Sequence, residues 1–190
     1  SGISSQYISA LMMIGPCLKN GLLIELTGDT ISSSYIQMTA GLMKDAGIDI
    51  EWKGNLIRIE EKEYPVRSLS VEPDWSSASY WFSIAGLSHN SEIRIKGLRR
   101  ESYQGDAAIT TIFDRIGVNS EFTSSELILT QKKEFIQKFE FDFRNNPDMV
   151  QTVIPYCVAR GISFSFSGCR TLRIKETDRV WALYQELKKF

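Results

Sequence analysis

The amino-acid sequence predicts an α/β (α+β) fold made of a repeated order of strand, helix, strand, helix, strand and strand. Three helix-like runs are each followed by a short strand, at residues 22–26, 92–96 and 162–166. The first residues of these strands, 22, 92 and 162, are separated by 70 positions in both cases. Because one element recurs at a fixed period, we expect repeated supersecondary copies.

The helix before each of these strands begins at residues suited to a helix N-terminus. Ser and Asp side chains accept hydrogen bonds from the free amides there, and Pro is tolerated in the first turn. The predicted starts are Ser4-Ser5-Gln6, Ser76 to Ser79 and Pro147-Asp148. A second helix in each copy is predicted to begin near Ser34, Gln104 and Thr177.

Two strand pairs and two leading strands complete the predicted copies. Short polar links join residues 49–52 to 56–60 and residues 118–122 to 126–130, which is typical of hairpins. Leading strands are predicted at residues 67–71 and 139–143. The first copy then lacks its leading strand, and the last copy lacks its closing hairpin.

A repeat with its outer pieces missing would expose sheet edges and apolar helix faces, so we expect part of a longer protein, truncated at both ends. The predicted domains are 1–66, the end of one domain, and 67–190, the first part of another. The second would hold a complete copy at 67–130 and an incomplete copy at 138–190. The alternative is an ordinary α/β domain with coincidental spacing, which two equal offsets disfavour.

Composition argues against several classes of function. The 22 basic and 23 acidic residues give a net charge of −1, so there is no bulk attraction to nucleic acid or to an anionic membrane. No apolar run approaches the ~20 residues that span a bilayer. His89 is the single histidine, which leaves little for a histidine metal site or a Ser-His-Asp triad. Glycine-rich nucleotide loops and zinc-ligand clusters are absent, so we expect no bound cofactor and no metal.

The three cysteines favour a reducing compartment. Cys17, Cys157 and Cys169 are odd in number and have no Cys-x-x-Cys spacing. Cys17 and Cys157 fall in apolar helical stretches, so we expect buried thiols. The predicted location is the cytoplasm.

A charged run, Arg173 to Arg179, is the most distinctive motif. Lys175 and Arg179 are four positions apart, so a helix would place them on one face, where they repel each other. Two cations near a helix start favour an anion, because the helix N-terminus adds partial positive charge. Taken alone, the run is more simply explained as an ordinary charged helix start.

Other polar residues are candidates for binding or proton transfer. Ser4, Ser5 and Gln6 begin one helix and Ser32 to Tyr35 begin the next, where free amides suit a phosphate, although each set also serves as a cap. Asp148 is either a first-turn acid or a carboxylate directed into a cleft. The acids Glu72 and Asp74 are better explained as hinge and cap residues than as catalysts.

Taken together and in order, five segments resemble the 5-enolpyruvylshikimate-3-phosphate synthase family of 3-phosphoshikimate 1-carboxyvinyltransferases. The segments are Ser4-Ser5-Gln6, SSSYIQMT at 32–39, VEPDWSSASY at 71–80, Pro147-Asp148 and RIKETDR at 173–179. The resemblance implies an inside-out barrel of two domains, each with three copies of the six-element repeat. It also implies a cytoplasmic, monomeric parent enzyme of aromatic amino acid biosynthesis.

The activity implied by the resemblance is transfer of the enolpyruvyl group of phosphoenolpyruvate to the 5-hydroxyl of shikimate 3-phosphate, with release of phosphate. The reaction is an addition followed by an elimination, and the family needs no redox cofactor and no obligatory metal. Its partners are then the two substrates and the missing parts of the same protein. The isolated chain is expected to have little or no turnover.

The resemblance also implies a role for each matching residue. The phosphate of shikimate 3-phosphate would be held by Ser4, Ser5, Ser32 and Tyr35, and the ring by Gln6 and Thr171. Asp148 would bind ring hydroxyls and act as a base. Lys175 would bridge both substrates and join in proton transfer, with Glu176 as a second proton-transfer group and Arg179 as a phosphoenolpyruvate ligand.

Three positions depart from the family pattern, and two alternative functions remain. Ser34 stands where Pro is usual, Pro73 where Gly is usual, and Thr171 where many members have Asn. An enolpyruvyl transferase that acts on a UDP-sugar would call for a reactive Cys in a mobile loop. A non-catalytic module would keep only phosphate-binding helix starts.

Overall fold

The computed structural model describes residues 5–27 and 33–190, except for the side chain of Ser33. The chain divides into two compact units, an N-terminal unit, Ser1–Val71, and a C-terminal unit, Glu72–Phe190. Both units combine helices with small sheets, so the α/β class is confirmed.

The N-terminal unit packs two helices on one three-stranded sheet. Its elements are α1 Ser5–Ile14, β1 Leu22–Glu25, α2 Ser33–Asp45, β2 Ile50–Lys53 and β3 Leu56–Ile59. The strand order is β1-β3-β2, and both pairings are antiparallel. Every second residue of the short strands turns inward, so a core of aliphatic and Met side chains forms under α1 and α2. The core residues are Met12, Ile36, Met43, Ile48, Ile57 and Ile59.

The first part of the C-terminal unit repeats this arrangement. Its elements are α3 Trp75–Leu87, β4 Glu92–Lys96, α4 Ile109–Ile116, β5 Val118–Phe122 and β6 Glu126–Gln131. The strand order is β4-β6-β5, again antiparallel throughout. The predicted bounds of β4 and β5 are confirmed, because alternating side chains between turns define both strands.

The second part of the C-terminal unit contains the parallel pair β7 and β8. Its elements are β7 Lys138–Asp142, α5 Val150–Arg160, β8 Ser163–Ser167 and α6 Arg179–Leu187. Parallel pairing is possible because α5 provides the crossover between the two strands. The strands β1, β4 and β8 begin at residues 22, 92 and 163, within one residue of the predicted period.

The predicted leading strand at residues 67–71 is wrong. The structure gives this segment no strand, and no described strand pairs with it. Val66 and Val71 are almost fully exposed. An extended segment becomes a strand only when a neighbour receives its backbone hydrogen bonds, which the apolar pattern alone does not reveal.

The helices α3 and α5 pack closely in the core of the C-terminal unit. Gly86 of α3 faces the ring of Tyr156 of α5, and a Cβ atom at Gly86 would lie 2.5 Å from that ring. The buried Tyr156 hydroxyl donates a hydrogen bond of 2.9 Å to the carbonyl oxygen of Ile116. Ser79 and Thr152 join their hydroxyls at 2.8 Å between the same two helices. These contacts fix α5 and therefore the turn that leads into it.

The cysteine predictions have different outcomes. Cys157 is buried in α5 as predicted, and burial raises the pKa of its thiol to about 12. The prediction for Cys17 is wrong, because a 3₁₀ turn, Gly15–Cys17, ends α1 and leaves this side chain exposed. Of the helices in the described ranges, none is long and apolar enough to cross a membrane.

Candidate active site

The centre of the candidate site in the C-terminal unit is Asp148, which two cations approach. Asp148 lies in a 3₁₀ turn, Pro147–Met149, directly before α5. The guanidinium Nη1 of Arg179 donates to Asp148 Oδ1 at 2.8 Å, and the Nζ of Lys175 lies 3.8 Å from the same oxygen. The side chains of Asp148, Arg179 and Lys175 are 18%, 23% and 32% exposed, so the pair of cations borders solvent without being fully hydrated. We call Asp148, Lys175, Glu176 and Arg179 the Asp148 cluster.

The route by which Lys175 and Arg179 meet differs from the prediction of a shared helix face. Asp178 caps α6, because its carboxylate accepts a hydrogen bond of 2.9 Å from the amide of Trp181. The helix therefore begins at Arg179, and Lys175 precedes it in non-helical chain. The two cations converge on Asp148 because the chain bends between them, and the carboxylate offsets the repulsion expected of two neighbouring cations.

Glu176 lies at the exposed edge of the Asp148 cluster. Its side chain is 76% exposed, and its carboxylate accepts a hydrogen bond of 2.6 Å from Arg179 Nη2. Its own backbone amide and then the Arg179 guanidinium lower the pKa of Glu176. The Arg179 guanidinium thus links Glu176 and Asp148, one carboxylate on each side.

Thr171 contributes a buried hydroxyl near the start of a second 3₁₀ turn, Arg170–Ile174. Leu172 in the same turn is fully buried and anchors it. The Thr171 Oγ1 atom is buried and has no hydrogen-bond partner among the described residues. An unsatisfied buried hydroxyl costs about 1–3 kcal/mol.

The residues predicted in the N-terminal unit lie at its helix starts. Ser5 is the buried first residue of α1, Gln6 follows it on the exposed side, and the half-buried Tyr35 lies in the first turn of α2. Thr39 of α2 donates to Ser9 of α1 at 2.8 Å, which ties the two helices together. Ser4 and Ser32 lie outside the described residues.

The helix start at Asp74 has the predicted capping role. Asp74 accepts hydrogen bonds from the amides of Ser76 and Ser77 at 3.0 and 3.1 Å. Partial burial raises the pKa of Asp74, but hydrogen bonds from the Ser77 hydroxyl and these amides outweigh it and lower the pKa overall. The Asp74 charge is therefore directed at α3 itself.

Glu72 organises the loop after β4, a role that sequence reasoning assigned only loosely to a hinge. Its carboxylate accepts hydrogen bonds from four groups, which lie on Trp75, Arg99, Ser102 and Gln104. The distances from Glu72 to the Trp75 Nε1 and Arg99 amide nitrogens are 2.9 and 2.8 Å. These partners lie up to 32 positions away, so no local pattern around Glu72 identifies them.

Asp106 is a residue near the Asp148 cluster that sequence reasoning missed. It is 8% exposed, and the Ser76 hydroxyl donates to its Oδ2 at 2.5 Å. Burial raises the pKa of Asp106, and the negative charges of Asp148 and Asp74 add to this, against the Ser76 hydrogen bond and the positive charge of Lys175. The available signal was an acid in the first turn before an apolar helical run, the same signal that marked Asp148.

The donor set suits organic anions better than a metal ion. Within residues 5–27 and 33–190, no group of three or more His, Cys, Asp or Glu side chains is arranged to hold a metal. Lys175 and Arg179 instead offer ammonium and guanidinium donors, which bind phosphate and carboxylate. The site can therefore bind an anion beside a carboxylate capable of proton transfer.

Comparison with known proteins identifies the family. A curated 3-phosphoshikimate 1-carboxyvinyltransferase from Bacteroides fragilis is 44% identical over 188 residues, which cover 98% of this chain and 46% of the relative. Proteins of the same name from Nostoc punctiforme and Methanospirillum hungatei are 31% and 33% identical; the matches cover 98% and 95% of this chain and 44% and 43% of theirs. The enolpyruvyl transferase NikO from Streptomyces tendae matches 70% of this chain and 33% of its own, with a TM-score of 0.47 and 16% identity.

The chain thus spans less than half the length of these curated relatives. The family model described as EPSP synthase (3-phosphoshikimate 1-carboxyvinyltransferase) matches residues 1–190. On that match over its whole length, the chain belongs to the EPSP synthase family.

Proposed function

We propose that the protein containing this chain transfers the enolpyruvyl group of phosphoenolpyruvate to the 5-hydroxyl of shikimate 3-phosphate and releases phosphate. The observation that carries this proposal is the convergence of Lys175 and Arg179 on Asp148. Asp148 and Arg179 are 31 positions apart in the sequence. The fold nevertheless brings them into one cluster, which carries the charges that the reaction needs. Membership of the EPSP synthase family gives independent support.

The chemistry assigned to the Asp148 cluster follows from its charges. Addition needs a base to take the proton of the attacking hydroxyl and an acid to protonate the methylene carbon of phosphoenolpyruvate. We assign the base to Asp148 and proton transfer at carbon to Lys175, with Glu176 as the second proton-transfer group. Elimination of phosphate from the tetrahedral intermediate then returns a proton from the new methyl group to the enzyme. Cationic side chains stabilise the charge on the transferred group throughout, which is the role of Arg179.

The remaining substrate contacts are proposed from the family match. Ser5 and Tyr35, with Ser4 and Ser32, are assigned to the phosphate of shikimate 3-phosphate, and Gln6 and Thr171 to its ring. The inside-out barrel, its division at residue 66, the monomeric state and the cytoplasmic location are part of the same proposal.

An enolpyruvyl transferase that acts through a reactive cysteine has little support in this chain. Burial raises the pKa of Cys157 to about 12 and also raises the pKa of Cys169, which disfavours the thiolate in both. Cys17 is exposed, but it lies in a 3₁₀ turn of the N-terminal unit rather than in a loop of a described site.

The proposal is tested by assaying the full-length protein with shikimate 3-phosphate and phosphoenolpyruvate. We expect phosphate release that requires both substrates and yields an enolpyruvyl ether. Arg179→Gln should raise KM for phosphoenolpyruvate at least ~10-fold, because a bidentate cation is lost. Lys189→Gln is the matched control, since Lys189 is exposed and paired with Glu186. An active wild type with unchanged KM in Arg179→Gln would reassign the anion site, and an inactive, folded wild type would refute the proposed function.

A further inference from the structure

Asn146 is a buried side chain that joins the turn of Asp148 to a distant turn of the C-terminal unit. It is 8% exposed, and its Nδ2 donates a hydrogen bond of 2.6 Å to the carbonyl oxygen of Gly105, 41 positions away. A backbone carbonyl oxygen can only accept, so the group directed at it is the NH₂ of the Asn146 side chain. The contact is therefore a directional tie between two 3₁₀ turns, Gly105–Ala108 and Pro147–Met149.

The backbone of Asn146 makes local hydrogen bonds on both sides of the turn of Asp148. Its amide donates to Phe143 O at 3.0 Å, and its carbonyl oxygen accepts from the Met149 amide at 3.1 Å. Pro147 has no amide hydrogen to donate, which leaves a turn of three residues with little hydrogen bonding of its own. A turn so short gains its position from contacts outside it, and the Asn146 side chain provides such a contact.

The turn that accepts this bond is itself fixed to the start of α3. Gln104, directly before Gly105, accepts a hydrogen bond of 2.9 Å from the Trp75 amide. Asp106, directly after Gly105, accepts one of 2.5 Å from the Ser76 hydroxyl. The carbonyl of Gly105 is therefore a fixed acceptor, because hydrogen bonds to α3 flank it on both sides.

We propose that Asn146 is a positioning residue for Asp148. Its hydrogen bond to Gly105 O holds the carboxylate at the point where the two cations of the Asp148 cluster meet it. Asp148 Oδ1 is 2.8 Å from Arg179 Nη1 and 3.8 Å from Lys175 Nζ, so a shift of about 1 Å would break the first hydrogen bond or create a second. A misplacement of about 1 Å can cost about 100-fold in rate. The kinetic consequence rests on the proposed function, but the placement of the turn does not.

The placement is tested by amide hydrogen exchange in the full-length protein. In Asn146→Ala, the Met149 amide should exchange about 10-fold faster, because the turn is no longer tied to Gly105. The Ile162 amide, which donates to Cys157 O at 2.9 Å beyond the other end of α5, is the internal reference and should change less than ~3-fold. Asn146→Ser replaces the alanine variant if that variant does not fold, because a serine hydroxyl lies one bond short of the position of Nδ2. Unchanged exchange at Met149 would overturn the inference, whether or not the protein is active.

The kinetic test asks whether Asn146 acts through Asp148. Asn146→Ala should lower kcat about 10-fold in the wild-type background. In the Asp148→Asn background the same change should lower kcat less than ~2-fold, because no base is left to position. Asp114→Asn is the matched background, since Asp114 is an exposed acid paired with Lys132, and there the ~10-fold loss should persist. Equal losses in all three backgrounds would indicate a merely structural role and overturn the inference.

A second control separates loss of catalysis from loss of stability. Tyr156→Phe also removes a buried hydrogen bond to a backbone carbonyl, that of Ile116. It should lower the urea midpoint of unfolding about as much as Asn146→Ala does, but change kcat less than ~2-fold. The same loss of kcat in Tyr156→Phe would overturn the inference. A folded wild type without turnover would refute the proposed function instead, and hydrogen exchange would then decide the placement alone.

Discussion

Two helix starts in the C-terminal unit carry an aspartate, and they use its charge differently. At the start of α3, Asp74 accepts hydrogen bonds from the amides of Ser76 and Ser77. Just before α5, Asp148 lies within the 3₁₀ turn Pro147–Met149, and its carboxylate faces Lys175 and Arg179. The partners of the Asp74 carboxylate are backbone amides, which a ligand cannot displace. The partners of the Asp148 carboxylate are side chains, which a ligand can displace.

The two aspartates differ in the partners of their carboxylates. The N-cap position directs the Asp74 carboxylate at amides of its own helix, whereas the Asp148 carboxylate meets the cations of Lys175 and Arg179. Ser79 and Thr152 join α3 to α5, so the two aspartates belong to one rigid pair of helices and differ only in what surrounds them. Substitutions at each start should therefore have separable effects.

The largest expected effect is on activity, in Asp148→Asn. Loss of a general base typically costs 10²–10⁴-fold in rate, and we expect kcat of the full-length protein to fall about 1000-fold. Stability should change by less than ~1 kcal/mol, because Arg179 keeps its hydrogen bond to Glu176. Steady-state phosphate release and urea denaturation measure the two effects. Full activity in Asp148→Asn, with the activity of Asp114→Asn as reference, would contradict the assignment.

The next effect tests the packing that both helix starts share. Gly86→Ala places a Cβ atom 2.5 Å from the Tyr156 ring, and overpacking of this kind costs about 1–3 kcal/mol. Tyr156→Phe alone should cost about 1 kcal/mol through loss of the hydrogen bond to Ile116 O. Combined, the two should cost less than their sum, because the hydroxyl is one of the overlapping atoms. Strict additivity in urea denaturation would show that α3 moves away from α5 instead.

The cap at Asp74 should have a smaller effect, on stability. Asp74→Ala removes the N-cap of α3 and should lower the free energy of unfolding by about 1 kcal/mol, while Asp74→Asn retains most of the capping. Because the folded state lowers the pKa of Asp74, its charge contributes stability above about pH 4, and this contribution is lost as the pH falls through the lower folded-state pKa. The difference between wild type and Asp74→Asn in denaturation midpoint should therefore shrink below pH 4. A pH-independent difference would contradict the cap as its source.

The smallest effect is expected at the exposed edge of the Asp148 cluster. Glu176→Gln removes an ion pair to Arg179 in which the glutamate is 76% exposed, so we expect no measurable change in the free energy of unfolding. The same variant should lower kcat if Glu176 transfers a proton. Thermal denaturation at two salt concentrations and the phosphate-release assay separate these outcomes. A large stability loss would mean that Glu176 is mainly structural.

The predictions made from the sequence succeeded where a local pattern decides the structure. The strands β4 and β5 were predicted at their observed bounds, because alternation between turns requires no knowledge of distant residues. The cap at Asp74 was predicted for the same reason. Residues 67–71 were wrongly predicted as a strand, since strand formation depends on a neighbour that the pattern does not contain.

The candidate site was predicted less completely, because distant contacts create it. The run at Arg173 to Arg179 drew attention to two cations but implied a helix, whereas the Asp178 cap delays α6 until Arg179. Asp106 was missed because the Ser76 hydroxyl that bonds it and the charged groups that act on its pKa lie 30 or more positions away. Local sequence patterns therefore identified individual residues of the site, such as Lys175 and Arg179. Only the fold identified the residues beside them, such as Asp106.

The four hydrogen bonds to Glu72 define how the C-terminal unit can be excised for study. Glu72 is its first residue, and its carboxylate receives donors from the loop after β4 as well as from the Trp75 indole. A protease cut or a designed start after this residue would leave the Arg99 amide and the Ser102 hydroxyl without their shared acceptor. A piece that keeps these hydrogen bonds therefore has to include Glu72, and it can begin in the exposed segment at residues 66–71.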